Sequence, residues 1–416
     1  MERNVLLNGP CLTATVGGLD SLEASRYCLN TASITDIGET TMSVKCGVVG
    51  CGVIANEAYL PAIKKYGRLV AVCDIVEKKA ERAAKLWGAE EYYTDYEEML
   101  EKSDVEAVFI LTGMGDHARQ VAMAANAGKH VLVQKPLATN MDDLRSAVNA
   151  VKKSGVKALV EPCVQMFPEY VKAKEVLKDI GAIFWFRAGL GRGPPIWGAE
   201  TFFTRRAGGP LFDLGVYEIS ALTFLLGPAE RVSGLARISI PEVDIVPEDW
   251  FIEHLSKFDS YRSVWPLLGR APRTQKVKVE AEDNTLTLIE MKSGCLGVVI
   301  ANFVTPDGLR SDVGMFPDIE IYGSDGGVLI GSGAYAVAYK TVKMREWVKV
   351  GWDDIGRRGW SYYETSTKHF LECIVKDEEP IPNIDWGAHV SEIMIKSIES
   401  SRTGRILRME TTFKPY

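Results

Sequence analysis

The chain lacks most of the features that mark whole classes of protein, and each absence narrows what it can do. None of its eight cysteines, at positions 11, 28, 46, 51, 73, 163, 295 and 373, stands in a CxxC or other close pair. That removes redox dithiols and zinc ribbons and leaves small buried hydrophobes. The five histidines, His117, His130, His254, His369 and His389, include no HxxxH pair and no cluster of ligand spacing, so no metal site is expected. Positive charge is not in excess: the net charge is -7 and the pI about 5.5. With no basic stripe among aromatics, nucleic acid is not expected as a partner. Apolar runs are short and broken by charge, and the first residues lack the basic start and apolar core of a signal peptide. The expectation is therefore a cytoplasmic protein with no membrane partner.

What the chain does have is apolar mass, 46% of 416 residues, enough for roughly two or three cored domains. It also has one pattern that points to a ligand. A short apolar strand, Val44 to Val49, runs into Gly50-Cys51-Gly52-Val53-Ile54-Ala55, and a second strand, Leu69 to Cys73, ends on Asp74. Glycines so spaced let the backbone turn tightly and approach a pyrophosphate. That group then lies on the dipole and free N–H groups of the following helix, which makes Gly50, Gly52, Val53 and Ile54 candidate cofactor contacts. Asp74 is placed to accept hydrogen bonds from a ribose diol. Its charge would repel a 2′-phosphate, so NAD is favoured over NADP.

Residues 1–43 have little periodicity and many small polar residues. They read as an added arm, or as the product of a start assigned too early, with Met42 the true beginning. As an arm, Leu6, Leu7, Leu22 and Tyr27 would pack on a partner subunit. From 44 to 165 strands and helices alternate, as in a doubly wound parallel sheet. Thr94-Asp95-Tyr96-Glu97 predicts a capping box, Gly128 ends a helix begun near Asp116, and Asn140 and Gly155 bracket another. From 166 to 384 the pattern turns to α+β with a largely antiparallel sheet: strands at Ile183–Leu190, Arg231–Ile240, Val277–Glu282, Leu286–Met291 and Leu296–Val304. The stretch 241–275, rich in Pro, Asp and Trp, reads as an insertion. Residues 385–416 are a C-terminal helix and tail.

Strand ends of a doubly wound sheet deliver their residues to the ligand crevice. Thr112, Gln134 and Lys135 fall there. A lysine in such a loop is ordinarily solvated, but Pro136 fixes the backbone beside Lys135 and makes a held, inward side chain reasonable. The second constellation is Gly208-Gly209-Pro210-Leu211-Phe212-Asp213-Leu214-Gly215-Val216-Tyr217. Pro210 suits a helix's first turn, and Asp213 and Tyr217, four apart, share a face.

With these residues in place the sequence resembles the glucose-fructose oxidoreductase / inositol dehydrogenase / MocA family over about 44–404. The marks are the glycine motif with Asp74, then Thr112 with His117, then Ala127-Gly128-Lys129-His130-Val131-Leu132-Val133-Gln134-Lys135-Pro136, and Gly208 to Tyr217. The chain departs from the family pattern at several points. Gln134 stands where members carry the acid of Glu-Lys-Pro. Tyr217 stands where inositol dehydrogenases carry histidine, as in the tyrosine branch of the family. Gln165-Met166-Phe167-Pro168 replaces an Arg-Phe pair. The resemblance implies an N-terminal Rossmann domain, a C-terminal α+β domain with a large open sheet, and a homodimer or homotetramer paired through that sheet. It implies cofactor contacts from Thr112, His117, Gln134 and Lys135, with Gln165 toward substrate; Arg205, just before the glycine pair, is a further candidate by its position, for substrate or cofactor.

The resemblance also implies a mechanism that these side chains permit. An alcohol gives up hydride only as its proton leaves, so the site needs a base and a positive charge near that oxygen. Tyr217 is the expected base, Lys135 the charge, and Asp213 the group that orients Lys135 or holds a neighbouring hydroxyl. The expected protein is an NAD(P)-dependent oxidoreductase acting on a sugar, cyclitol or related polyol. The competing readings are a glycoside hydrolase or lyase with retained NAD and a non-catalytic NAD-binding sensor.

Overall fold

In a computed structural model the described residues are 42–255, 264–306, 318–331, 335–356 and 361–416. The arm expected at 1–43 therefore lies, but for its last two residues, outside them. Hydrophobic strands that feed a helix and return in parallel build the first half. Among the described residues these strands are β1 (Lys45–Val49), β2 (Arg68–Cys73), β3 (Glu91–Tyr93), β4 (Ala107–Ile110), β5 (His130–Val133) and β6 (Ala158–Val160). They form one parallel sheet in the order β3-β2-β1-β4-β5-β6, so the order reverses between β1 and β4. Helices α1 (Leu60–Tyr66), α2 (Glu77–Trp87), α3 (Tyr96–Lys102), α4 (His117–Asn126) and α5 (Met141–Ser154) make the crossovers. The central strands are buried on both faces, which is why they read as unbroken apolar runs. At the start of α3 the capping side chain is Asp95, which accepts from the Glu98 N–H, rather than Thr94.

The second half follows with α6 (Pro168–Val176), β7 (Ile183–Gly191), α7 (Ala199–Phe202), α8 (Val216–Leu226) and β8 (Ala229–Arg237). The inserted stretch holds β9 (Glu242–Ile245), α9 (Glu248–Leu255) and α10 (Trp265–Leu268), and β10 (Gln275–Lys278) closes it. The strand expected at Val277–Glu282 does not join the main sheet: β10 pairs only with β9, because the inserted chain must return on itself before the fold resumes. Then come β11 (Asn284–Met291), β12 (Leu296–Asn302), β13 (Asp318–Gly323), β14 (Gly326–Ile330), β15 (Val337–Thr341) and β16 (Val348–Val350). After α11 (Trp352–Ile355), α12 (Ser361–Lys376) and α13 (Ile384–Thr403), the short β17 (Leu407–Arg408) ends the fold. The large sheet runs β16-β15-β14-β13-β7-β12-β11-β8-β17, antiparallel except where β12 lies parallel to β7.

Alternation along these strands splits the large sheet into two faces. Val232, Ile289, Val299, Phe186 and Ile321 are buried beneath α6, α8 and α13. Leu235, Leu286, Leu288, Leu296 and Trp185 point the other way and stay exposed. The C-terminal helices do not stay with the second half. Tyr363, Phe370 and Leu371 of α12 pack into the core of the first sheet with Val48, Tyr59 and Phe109, so α12 joins the two halves.

Candidate active site

The turn after β1 has the shape a dinucleotide needs. Gly50 has φ +91°, and a Cβ there would lie 2.6 Å from the Leu111 carbonyl oxygen at the end of β4, so only glycine fits. A Cβ at Gly52 would meet nothing within 4 Å, which leaves the outer side of the turn open for a ligand to approach the backbone. Asp74, at the end of β2, accepts from the Cys51 N–H at 2.8 Å and from the Val76 N–H at 2.9 Å. Those bonds fix the carboxylate and leave each oxygen a second lone pair for a ribose diol. Val53 and Ile54 open the helix that follows, with a π turn at Ala55–Tyr59 leading into α1. The residues present therefore fit a dinucleotide.

At the end of β5, Lys135 reaches the second half of the molecule. Its Nζ donates to Asp213 Oδ1 at 2.7 Å and to the Asp213 carbonyl oxygen at 2.8 Å. The same nitrogen lies 5.0 Å from the centre of the Tyr217 ring. Asp213 belongs to a π turn, Leu211–Gly215, entered from Pro210 and continued by α8. This widened turn aims both the side-chain and the main-chain oxygen of one residue at the lysine. The Lys135 and Asp213 side chains are 13% and 15% exposed, sheltered yet open to a ligand. Burial alone would lower the Lys135 pKa, but the Asp213 carboxylate and Tyr217 outweigh it, and the ammonium is held above its usual value.

Other expected site residues have different tasks. Gln134 does not face the crevice: its Nε2 donates to the Tyr59 hydroxyl at 2.6 Å, and Tyr59 donates to Glu161 Oε1 at 3.0 Å. An amide can donate there where an ionised glutamate could only accept, so the loss of the family acid belongs to this buried network. His117 is buried and spans the carbonyl oxygens of Pro136 at 2.7 Å and Thr112 at 3.0 Å, with its pKa lowered by burial. It braces the loops that leave β4 and β5. Thr112 donates from its hydroxyl to Gln120 Oε1 at 2.5 Å. Gln165 is buried, and its Nε2 donates to the Ile381 carbonyl oxygen at 2.6 Å. Arg205 is exposed and forms no ion pair among the described residues, whereas its neighbour Arg206 pairs with Asp116.

Sequence reasoning missed Glu161, Tyr362 and Tyr363. Glu161 ends β6 beside Gln134, buried, with its pKa pushed up by burial against donors that include the Cys163 N–H at 2.8 Å. The rings of Tyr362 and Tyr363 lie 3.8 Å apart at the start of α12, and burial raises both phenols well above their usual pKa, with Tyr217 raising them further. The only signal was a strand ending on Glu161-Pro162 as its neighbour ends on Lys135-Pro136. Nothing local announces that α12 returns to the site. Among the described residues no group of three or more His, Cys, Asp or Glu is placed to hold a metal ion.

Comparison with known proteins decides the class. Residues 44–161 match the family described as "Oxidoreductase family, NAD-binding Rossmann fold", and residues 170–329 match the GFO/IDH/MocA C-terminal domain. The chain belongs to the GFO/IDH/MocA oxidoreductases. It is thus an NAD-binding oxidoreductase, and the glycine turn and Asp74 fall within the matched NAD-binding domain. The scyllo-inositol 2-dehydrogenase (NAD(+)) of Bacillus subtilis is 27% identical over 378 residues, covering 88% of this chain and 96% of that one. An NAD binding oxidoreductase from Klebsiella pneumoniae shares the fold with a TM-score of 0.69 at 22% identity, over 88% of this chain and 99% of that one. A levoglucosan dehydrogenase solved with NADH and L-sorbose gives 0.71 at 19% identity, over 88% and 98%.

Proposed function

We propose that the enzyme transfers a hydride between NAD and a secondary hydroxyl, or the corresponding ketone, of a sugar, cyclitol or related polyol. The observation that carries this reading is the Lys135 ammonium held between Asp213 and the Tyr217 ring at the edge of the nucleotide-binding sheet. The relatives named for scyllo-inositol and levoglucosan support a polyhydroxylated substrate. Bound NAD would supply the hydride acceptor.

The chain's own residues handle the proton. Tyr217 takes the hydroxyl proton of the alcohol at its phenolic oxygen, and Lys135 stabilises the negative charge that develops on the substrate oxygen. Asp213 keeps Lys135 ionised and aimed; its carboxylate also offers an acceptor to a neighbouring substrate hydroxyl. His117 and Gln134 support the site from behind by fixing the strand ends on either side of Lys135. The fixed carboxylate of Asp74 favours NAD over NADP.

Two copies pair through the open face of the large sheet, a reading supported by the exposed apolar row Leu235, Leu286, Leu288 and Leu296. Six thiols among the described residues are free and buried, which suits the cytoplasm, and no helix among them is long and apolar enough to cross a membrane. The test is turnover on a panel containing scyllo-inositol and levoglucosan. Lys135→Ala and Tyr217→Phe each lower kcat by about a thousandfold or more while NADH affinity changes by less than about threefold. Normal rates in both variants would overturn the assignment.

A further inference from the structure

The inserted stretch, which the catalytic geometry does not use, reaches back across the molecule to the nucleotide cradle. Val246, Phe251, Val264 and Leu268 form a small separate core, and Val53, the residue after the second glycine of the cradle, packs against it. The stretch is anchored on the second half: the Val246 N–H donates to the Ile196 carbonyl oxygen at 2.8 Å. Its β9 side joins another cluster, in which Ile245 packs with Phe203 and Val279.

A second contact reaches α2. Glu248, the first residue of α9, pairs with Lys79 of α2 at 2.5 Å. Lys79 is tied to the ribose end of the site through the backbone. Its N–H donates to the Val76 carbonyl oxygen at 2.8 Å, and the Val76 N–H donates to Asp74 at 2.9 Å. One segment of the second half thus touches both the turn that would hold a pyrophosphate and the helix turn beside the ribose carboxylate.

We propose that β9 and α9 of this segment, with Val264 and α10, form a clasp on the dinucleotide, seated on Val53 by their apolar core and latched to Lys79 by Glu248, which must lift for nucleotide to enter or leave. The proposal rests on the oxidoreductase reading only in taking NAD as the nucleotide. The two contacts contribute unequally. The Glu248 side chain is 57% exposed, and an ion pair so wet is a weak latch. Phe251 is 7% exposed and belongs to the apolar seat, so its contact is the stronger.

The experiment follows NADH binding to and release from the full chain by stopped-flow fluorescence, with no substrate present. Phe251→Ala is expected to speed both association and release by about tenfold, and Glu248→Gln by about two- to fivefold, so that Kd moves less than either rate. Glu242→Ala, which breaks the pair with Lys276 in the same segment but away from the cradle, leaves both rates unchanged. Circular dichroism and thermal melting establish that each variant is folded; if Phe251→Ala is not, Trp250→Ala in the same cluster replaces it. Rates within about twofold of the unaltered enzyme in the folded variants overturn the clasp, as does faster release with unchanged association, which would make the segment a wall and not a gate. Failure of the unaltered enzyme to bind NADH at all would instead remove the nucleotide reading beneath it.

Discussion

The two sheets of this enzyme are patterned differently, with unbroken apolar runs in the first and alternation in the second, and they meet solvent differently. The first is covered on both faces, and the glycine turn, Asp74 and Lys135 all lie at its carboxyl edge, where β1, β2 and β5 end. The second is covered on one face alone, leaving an apolar row open, and it contributes to the site through the turn Leu211–Gly215 and not through its strands. A parallel sheet confines chemistry to strand ends. A half-covered sheet frees a whole face for association.

The sharpest way to break that contrast is at the edge of the first sheet. At Gly50, an alanine would meet both a positive φ and the Leu111 carbonyl oxygen. The left-handed backbone alone costs about 1–2 kcal/mol, and the clash forces β1 and β4 to move where they frame the cradle. Gly50→Ala is expected to weaken NADH binding by about a hundredfold or more and to lower the melting temperature as well. A variant that titrates with NADH as the unaltered enzyme does would show that the turn is not the cradle.

The second sheet is tested on its open face. Leu288→Lys combined with Leu235→Lys places charge in the middle of the apolar row without touching the buried face. The expected result is a drop in mass by sedimentation to that of one chain, with the far-ultraviolet circular dichroism unchanged. An assembly of undiminished size would move the interface elsewhere.

The contrast between the sheets also explains what was legible. Strand ends can be read from sequence because an apolar run stops on a polar residue, so the cradle, Asp74 and Lys135 were placed from local pattern. The helical spacing of Asp213 and Tyr217 then supplied the other half of the meeting. Side-chain direction at a strand end is not local. Gln134 turns inward because Tyr59 waits there with Glu161 behind it, and those partners are separated from it by tens of residues. The Gln165 amide likewise donates to the Ile381 carbonyl oxygen, a loop partner far off in sequence. The return of α12 to the first core and the reach of the inserted stretch to Val53 are tertiary facts. Their sequences show amphipathic or mixed segments with no sign of which surface they cover.

The last comparison is one of energy rather than position. In the second half, α13 is fixed to β8 through His389: its Nε2 accepts from the Ala229 N–H at 2.9 Å, and its Nδ1 lies 3.0 Å from the Thr411 carbonyl oxygen, to which it donates. That arrangement needs the neutral ring, since a second proton on Nε2 would face the Ala229 N–H. Burial holds the pKa down at about 4, with Glu392 raising it and Lys292 lowering it further. The unfolded chain titrates this histidine near 6.5, so between about pH 6.5 and 4 it binds more protons than the folded enzyme, and stability falls as pH falls. The loss reaches roughly 3 kcal/mol below pH 4 and is absent above neutrality. Urea unfolding midpoints measured against pH check the sign: His389→Gln should flatten the acid slope by about one proton. Burial also lowers the pKa of His117 in the first half, so the acid slope left in the His389→Gln enzyme includes its share. An unchanged slope in the variant would mean that α13 is not anchored through a neutral imidazole.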